Sequence, residues 1–593
     1  MSADRPPRPL PAFSIAVTGH RAAALAGVDG KVLAAQVESA LRAARDGAQT
    51  LFAGQAALFA DEPPVFRFLS PLADGADRIA TEAALEAGYS VGAVLPFGRA
   101  DYAQGFPDDA ERAAYARLLG RASAVLELPG TRAAPGAAYF LAGQACVAHA
   151  DMLLAIWDGA PARGRGGTAE VVDLAWRRGL PIIHVPVAAG EPTRLLWPGF
   201  DRHCGPFLDF ACARPWSDDS LRPVLHALLA PPSQGQETRY LRQFHAEKQH
   251  LLRRRFEYPL LLMLAGVKRV SADMLRTRPY VQAAEEEWTP FRERCADPFG
   301  LSVRLGPVQD AYCWADGLAQ HFAQSYRSGH VFNFLLGALA VLLALTSLLW
   351  KDGKVVLAFG ELVAVLAIIA NTRLGTTGEW HRRWLDYRQL AERLRPMRSL
   401  ALLGLARPPP HGGSQRWTDW VAAATWRALD LPTGRIAPDA QAELARTLAQ
   451  AELAPQVAYN RRSAQLSALL DHRLHYFGTL LFALTLVGTV LLIAGLFFFP
   501  AWVAAHSGAF VWVSAGLPAL GTAIWGIRVQ GDFSGTAQRS LATASRLEPV
   551  VAELEGAVPL PRAAALFEAA SRIMVADLDE WRREHQKHEL ALP

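Results

Sequence analysis

The chain has little cysteine: five in 593 residues, at Cys146, Cys204, Cys212, Cys295 and Cys313. They are scattered and odd in number, and no pair has the spacing of zinc ligands. That argues against a zinc site and a disulfide-built secreted scaffold, and the five read as reduced thiols of a cytosolic setting. The chain also lacks an excess of charge of one sign. Sixty Lys and Arg stand against 56 Asp and Glu, a net charge of +4. Such a balance makes no broad field for nucleic acid. The N-terminus, MSADRPPRPLPAF, has no apolar signal region. The residues ahead of the first long apolar run are therefore expected to stay in the cytoplasm.

What the chain does have is long uncharged runs. Val331–Trp350 reads VFNFLLGALAVLLALTSLLW. A short polar turn, Lys351–Lys354, leads to VVLAFGELVAVLAIIANT, which ends at Arg373. A helix rises ~1.5 Å per residue, so each run can cross a hydrocarbon core of ~30 Å. A soluble core helix is the alternative, but one with no polar face over this length is rare. The pattern predicts a transmembrane helical hairpin. It recurs at Tyr476–Pro500 and Phe510–Val529. His330-Val331-Phe332 matches His475-Tyr476-Phe477, and Ala319-Gln320 matches Ala464-Gln465 at the same offset. Leu385 and Glu392 match Leu541 and Glu548 at a second shared offset. A duplicated two-span unit is predicted. Its spans must satisfy their backbones internally, so they are helices.

Within the spans Glu361 is the sole acidic side chain. It either faces a pore or bundle interior, or snorkels outward toward Lys354. Gly516, Gly521, Gly526 and Pro518 predict close helix approach and a kink. Arg373–Leu405 carries seven arginines, while the turns at Lys351–Lys354 and Ala501–Gly508 carry little charge. The positive-inside rule then places the long segments and both termini in the cytoplasm. Upstream, Glu237–Tyr258 reads as one basic helix, with Arg239, Arg242, Lys248, Arg253, Arg254 and Arg255. It touches acidic headgroups or is simply a solvated face. Pro259–Gly266 is apolar but too short to span.

The first 190 residues or so alternate short apolar runs with helical periodicity. Strands are predicted at Phe13–Val17, Val65–Leu69, Val91–Leu95, Ala124–Leu128, Met152–Trp157 and Ile182–Val185. A helix follows the first, with Val32, Leu33, Val37 and Leu41 on one face. This alternation predicts a parallel, doubly wound sheet whose ligand sits beyond the carboxyl ends of the strands. Thr18-Gly19-His20-Arg21, Asp74-Gly75-Ala76-Asp77 and Asp158 to Glu170 all fall at that edge. Gly164-Arg165-Gly166-Gly167-Thr168-Ala169-Glu170 opens a helix. Glycines let backbone approach a phosphate, and a helix start offers free N–H groups. A plain tight turn is the alternative. Thr168 adds a hydroxyl donor or caps the helix. Arg21 grips phosphate or pairs with a carboxylate. Asp74 and Asp77 contact a ribose or cap a helix. Tyr102 and Phe106 stack on a base or pack in the core.

Taken together, Val17–Arg21, Ala73–Asp77, Asp151–Gly159 and the GRGGTAE turn resemble the SLOG superfamily, which contains the LOG phosphoribohydrolases and DprA-like proteins. The resemblance covers residues 10–190. It implies a Rossmann-like pocket for nucleotides or nucleotide-derived signals, lined by Thr18, Gly19, His20, Arg21, Asp74, Gly75, Asp77, Asp158, Gly164, Gly166, Gly167, Thr168 and Glu170. The LOG enzymes carry PGGxGTxxE. Here Glu170 stands one place closer to the threonine, and no arginine lies between Gly143 and Asp158. Both departures favour binding without turnover. Trp384–Leu394 and Met574–Arg582, each following a hairpin, resemble the SLATT two-span effectors of bacterial conflict systems. That resemblance covers residues 236–593 and implies pore formation by oligomerised hairpins.

The expected fold is therefore an α/β Rossmann-like parallel sheet followed by an all-α membrane region with four spans in two hairpins. Residues 1–200 form the nucleotide-ligand-binding domain and 201–328 a helical linker. Residues 329–410 hold the first hairpin and a cytoplasmic helix, 411–474 a helical connector, and 475–593 the second hairpin with C-terminal helices. The resemblances imply a membrane effector in antiphage defence at the bacterial inner membrane. They imply no cofactor, a cyclic oligonucleotide or ADP-ribose derivative as ligand, and a homo-oligomer with Glu361 lining its pore. A nucleotidyltransferase or TIR enzyme is the implied source of the signal. A membrane-tethered nucleotide or NAD hydrolase using Glu170, and a ligand-independent channel, are the alternatives.

Overall fold

The computed structural model describes residues 4–585 apart from 163, 189, 202, 234, 252–254, 270–277, 351 and 410–415, and gives only the backbone of 577–585. Lys351, Arg253, Arg254, the expected boundary at 410/411 and the side chains of Asp577–Arg582 lie outside the described residues.

Six apolar runs form parallel strands: β1 Ala12–Gly19, β2 Val65–Ser70, β3 Ser90–Leu95, β4 Ala124–Glu127, β5 Met152–Trp157 and β6 Ile182–Pro186. β7 Arg194–Leu196 and β8 Ala213–Pro215 add antiparallel strands at one edge. β9, only Gly434–Arg435, adds a parallel one at the other. The order is β8-β7-β6-β5-β1-β2-β3-β4-β9. The chain builds outward from β1 to β4, then returns to the far side of β1 with β5. The switch point of the sheet thus lies between β1 and β5. Phe13, Ile15, Ala16 and Val17 are all buried, as expected for a strand covered on both faces.

Helices α1 Gly30–Gly54, α2 Ala76–Glu86, α3 Pro135–His149 and α4 Thr168–Arg177 belong to this domain. Leu33, Val37 and Leu41 of α1 are buried at helical spacing, whereas Val32 faces solvent. The reduced-thiol expectation fails at Cys204 and Cys212, which form a disulfide. They stand in the loop between β7 and β8, whose antiparallel pairing draws the loop ends together. Cys146, Cys295 and Cys313 are free and buried.

The basic run Glu237–Tyr258 is not one helix. α5 spans Gly235–Ala246 and α6 spans Glu257–Leu264. The chain breaks at Glu247, whose carboxylate is pulled into ion pairing with Arg383 and a hydrogen bond from Tyr387.

Among the described residues, four helices are long and apolar enough to cross a membrane. They contain α7 Gly306–Leu349, α8 Lys354–Thr377, α11 Ala454–Phe498 and α12 Ser507–Gly531. Between the pairs lie α9 Trp380–Leu394 and α10 Trp417–Ala428. α13 Phe533–Leu554 and α14 Leu560–His585 follow. The chain is a multi-pass membrane protein carrying an α/β domain. α7, at 44 residues, is ~66 Å long and runs well beyond a bilayer core.

The spans pack mainly in a row, α8–α7–α12–α11. Glycines of α12 set its spacing on both sides. A Cβ on Gly526 would lie 2.3 Å from Phe334 of α7, and one on Gly521 would lie 2.9 Å from Phe482 of α11. Pro518 sits inside a continuous helix.

Candidate functional site

The carboxyl ends of β1 and β5 lie side by side, and the expected site residues gather there. Thr18 is buried and pairs in register with Ala155, and Gly19 with Ile156. The His20 backbone N–H donates to the Ile156 carbonyl at 3.1 Å, so β1 and β5 stay joined to their last residue. The Asp158 N–H donates to His20 Nε2 at 3.2 Å, and Oδ1 of Asp158 is also 3.2 Å from that nitrogen.

Arg21 pairs with Asp74, and its guanidinium carbon lies 4.7 Å from the centre of the Tyr139 ring. Burial pushes the Asp74 carboxyl up, but the Arg21 guanidinium outweighs it and holds the carboxyl below the usual range. The Arg21 side chain keeps 40% of its exposure and Asp158 keeps 33%, so the edge is open to solvent. Gly75 has φ +88°, and a Cβ there would meet the Ala22 backbone nitrogen at 2.4 Å. Only glycine lets the start of α2 lie this close to the loop after β1. The contact is sealed by the Ala76 N–H, which donates to the His20 carbonyl at 3.0 Å.

Asp77 neither caps α2 nor faces the opening. It is buried in the first helical turn, and burial pushes its carboxyl up to about 7. The Ala73 N–H donates to it at 3.4 Å.

The glycine-rich turn closes on itself. Gly166 has φ +82°, and a Cβ there would lie 2.2 Å from the Gly136 carbonyl oxygen. Its N–H donates to Glu170 Oε2 at 2.6 Å. Gly164 is in open space, and Gly167 is the N-cap residue of α4. Thr168 is the first residue of α4 and does not cap it. α2, α3 and α4 all start at this edge, so three positive dipole ends converge on it.

Two expectations resolve toward packing. Tyr102 and Phe106 are buried in an aromatic cluster with Phe97 and Tyr115 and cannot stack on a ligand. The ring at the site is Tyr139, in the first turns of α3. Sequence reasoning missed it because α3 reads as uniformly apolar, with no pattern to single it out. Glu361 of α8 is half-buried. It stands one residue after Gly360, which faces Leu343 of α7. Glu361 has no hydrogen-bond or ion-pair partner among the described residues. No group of three His, Cys, Asp or Glu side chains suited to a metal occurs among them either.

The opposite ends of the same two strands are tied to the membrane half. Asp151, just before β5, accepts from the Ser14 N–H of β1 at 3.0 Å and from Arg427 of α10 at 2.7 Å. Arg67 of β2 pairs with Asp430 at 3.2 Å, and β9 extends from that segment onto β4. α10 packs on α9, which continues α8 beyond a sharp turn at Glu379, where φ is +49°. No family model and no curated protein matches this chain, so its function must be read from this edge, its tether and the four spans.

Proposed function

We propose that this protein is a membrane effector of the SLOG–SLATT kind, which binds a nucleotide-derived signal at the β1/β5 edge and answers by opening a conducting path. The observation that carries the reading is the placement of Arg21, His20 and the Gly164–Glu170 turn at the topological switch point, among three helix starts. Ligands of open α/β sheets settle in that crevice, and helix starts with glycine turns suit phosphate. The groups there neutralise one another in pairs. The Arg21–Asp74 pair is only partly buried, and a pair that solvent still reaches is worth on the order of 1 kcal/mol. A phosphate that grips Arg21 with two hydrogen bonds can displace Asp74.

The ligand edge and the tether are opposite ends of β1 and β5. Strands of this length hold them ~20 Å apart on a stiff body. A shift at the ligand edge is therefore felt at Asp151–Arg427, then at α10, α9 and the span α8. Such a switch requires the ligand to prefer one state by several kcal/mol. The row of spans leaves α8 and α11 as outer helices, which supports assembly of copies into a closed wall. Glu361, an ionisable group in an outer helix, is the pore-lining residue of that assembly. Cyclic oligonucleotides and ADP-ribose derivatives are the ligand classes, a nucleotidyltransferase or TIR enzyme their source, and defence at the bacterial inner membrane the setting.

The test is a thermal-shift screen of the full-length protein in detergent against these nucleotides. A specific ligand raises the melting temperature by mass action, and Arg21→Ala removes the rise while leaving the unliganded melt unchanged. A rise of the same size in Arg21→Ala would remove the site from the account. Release of free base in the same mixtures would favour the hydrolase instead.

A further inference from the structure

A cavity lies away from the sheet edge, where α11 passes from polar to apolar sequence. It measures about 410 Å³ and is lined by Leu264, Gly266, His472, Arg473, Tyr476 and Phe477. On α11, Asp471-His472-Arg473 precedes the span and Tyr476 begins it. The cavity therefore stands at the membrane boundary on the side of the sheet domain. Its other wall is α6, eight residues and so ~12 Å long, which cannot cross a bilayer. α6 nonetheless exposes Leu260, Met263 and Leu264, the last at 71%. Tyr476 and Phe477 beside it are exposed as well. These side chains form a greasy rim that water alone would not favour.

The polar floor of the cavity is cationic. Arg473 donates to the Ala265 carbonyl at the end of α6. Gly266, at φ +65°, leaves the room this needs, since a Cβ there would lie 2.5 Å from Nη1 of Arg473. Lys268 and Arg269 follow, both exposed. Asp471, the nearest acid along α11, is already held by Nε and Nη2 of Arg528 at 2.8 and 3.0 Å. Among the described residues no carboxylate pairs with Arg473. Ala265 packs with Val331, Leu474, Ile527 and Phe533, which fixes the end of α6 against three of the spans and the start of α13.

We infer that this cavity is a binding site for the phosphate headgroup of an anionic phospholipid, with its acyl chains lying along Leu264, Tyr476 and Phe477. A guanidinium with free N–H groups recognises the phosphate. The aromatic and aliphatic rim holds the glycerol and chain region, as interfacial rings do. A free phosphate shares the headgroup chemistry but gains nothing from the rim. The inference requires the spans to lie in a bilayer and is independent of the signal bound at the sheet.

The experiment is native mass spectrometry of delipidated full-length protein in a neutral detergent, titrated with phosphatidylglycerol, phosphatidylcholine or soluble glycerol 3-phosphate. One phosphatidylglycerol should be retained about tenfold better than phosphatidylcholine, with glycerol 3-phosphate not retained. Arg473→Gln should abolish the preference and Arg473→Lys should keep part of it. Leu264→Asp, at an exposed position that leaves the fold intact, should also abolish it by repulsion. Equal retention of the two lipids by the wild type, or an undiminished preference in folded Leu264→Asp protein, would overturn the site. Retention of glycerol 3-phosphate as tightly as the lipid would overturn the lipid assignment.

Discussion

The two halves of the membrane region are built alike and fastened differently. Each has a helix of 44 or 45 residues, a return span, and an elbow with a non-glycine residue in the left-handed region. The elbows are Glu379 at φ +49° and Asp532 at φ +42°. Each then lays a helix back along the part of its long partner that lies outside the span, α9 on α7 and α13 on α11. In the first unit that helix is buried. Trp384, Leu385, Tyr387, Leu390 and Leu394 are in the core, and its arginines end on carboxylates, as Arg383 does on Glu247 and Arg393 on Asp419. In the second unit α13 buries a narrow stripe, and its pair with α11, Arg461–Glu548, is exposed. The two units thus differ in how the helix after the elbow is held, α9 by buried packing and ion pairs and α13 by a narrow stripe and an exposed pair.

That contrast is sharpest in the ion pairs. Glu247 is buried. Desolvation pushes its carboxyl up, but His250, Arg383 and Tyr387 outweigh this and hold it below the usual range. Glu247→Ala strands the largely enclosed Arg383 guanidinium and leaves Tyr387 without its acceptor, and should cost ~3–5 kcal/mol in detergent unfolding. Glu548→Ala in the other unit should cost ~1 kcal/mol or less. Equal losses would erase the distinction between the units.

The seams between the spans differ too. Gly526→Val forces a methyl group into Phe334, where α12 meets α7, and should cost ~1–3 kcal/mol. The seam of α7 and α8 relies on side-chain amides instead. Asn371 donates to Asn333 at 2.7 Å and to the Gly329 carbonyl at 3.1 Å, and Arg255 donates to Asn371 at 2.8 Å. Asn371→Leu should cost ~1 kcal/mol, the usual scale for hydrogen bonds between spans.

A pH-dependent effect concerns the sheet alone. The folded state raises Asp77 to about 7, so its neutral form is favoured there. That stability is fully present below the ordinary carboxyl value and lost as pH rises through about 7. Stability should fall between about pH 4 and 7 by at most ~1.4 kcal/mol per unit from this group. Asp77→Asn should flatten that slope in a pH series of melts.

Much of this was legible in the chain. Uninterrupted apolar runs announce the spans, because a charge in hydrocarbon is expensive. Alternating strands and helices announce the sheet, and the glycine turn announces its edge. What escaped was non-local. β9 is two residues that join β4 from some 300 positions away. The arginines of α9 read as a topology signal, yet several are drawn partly out of solvent because their partners, Glu247 and Asp419, come from distant segments. Glu379 and Asp532 gave no warning of left-handed elbows, since neither is glycine. Tyr102 and Phe106 carry the right chemistry for stacking but lie under the loop, while Tyr139 stands beside Arg21.

In the proposed function the β1/β5 edge controls the spans. The direct measurement is dye release from liposomes holding the full-length protein, with and without the nucleotide that raises its melting temperature. The account predicts release on adding ligand to the wild type and none with Arg21→Ala at equal incorporation. Release of the same size without ligand, or in Arg21→Ala, would contradict it.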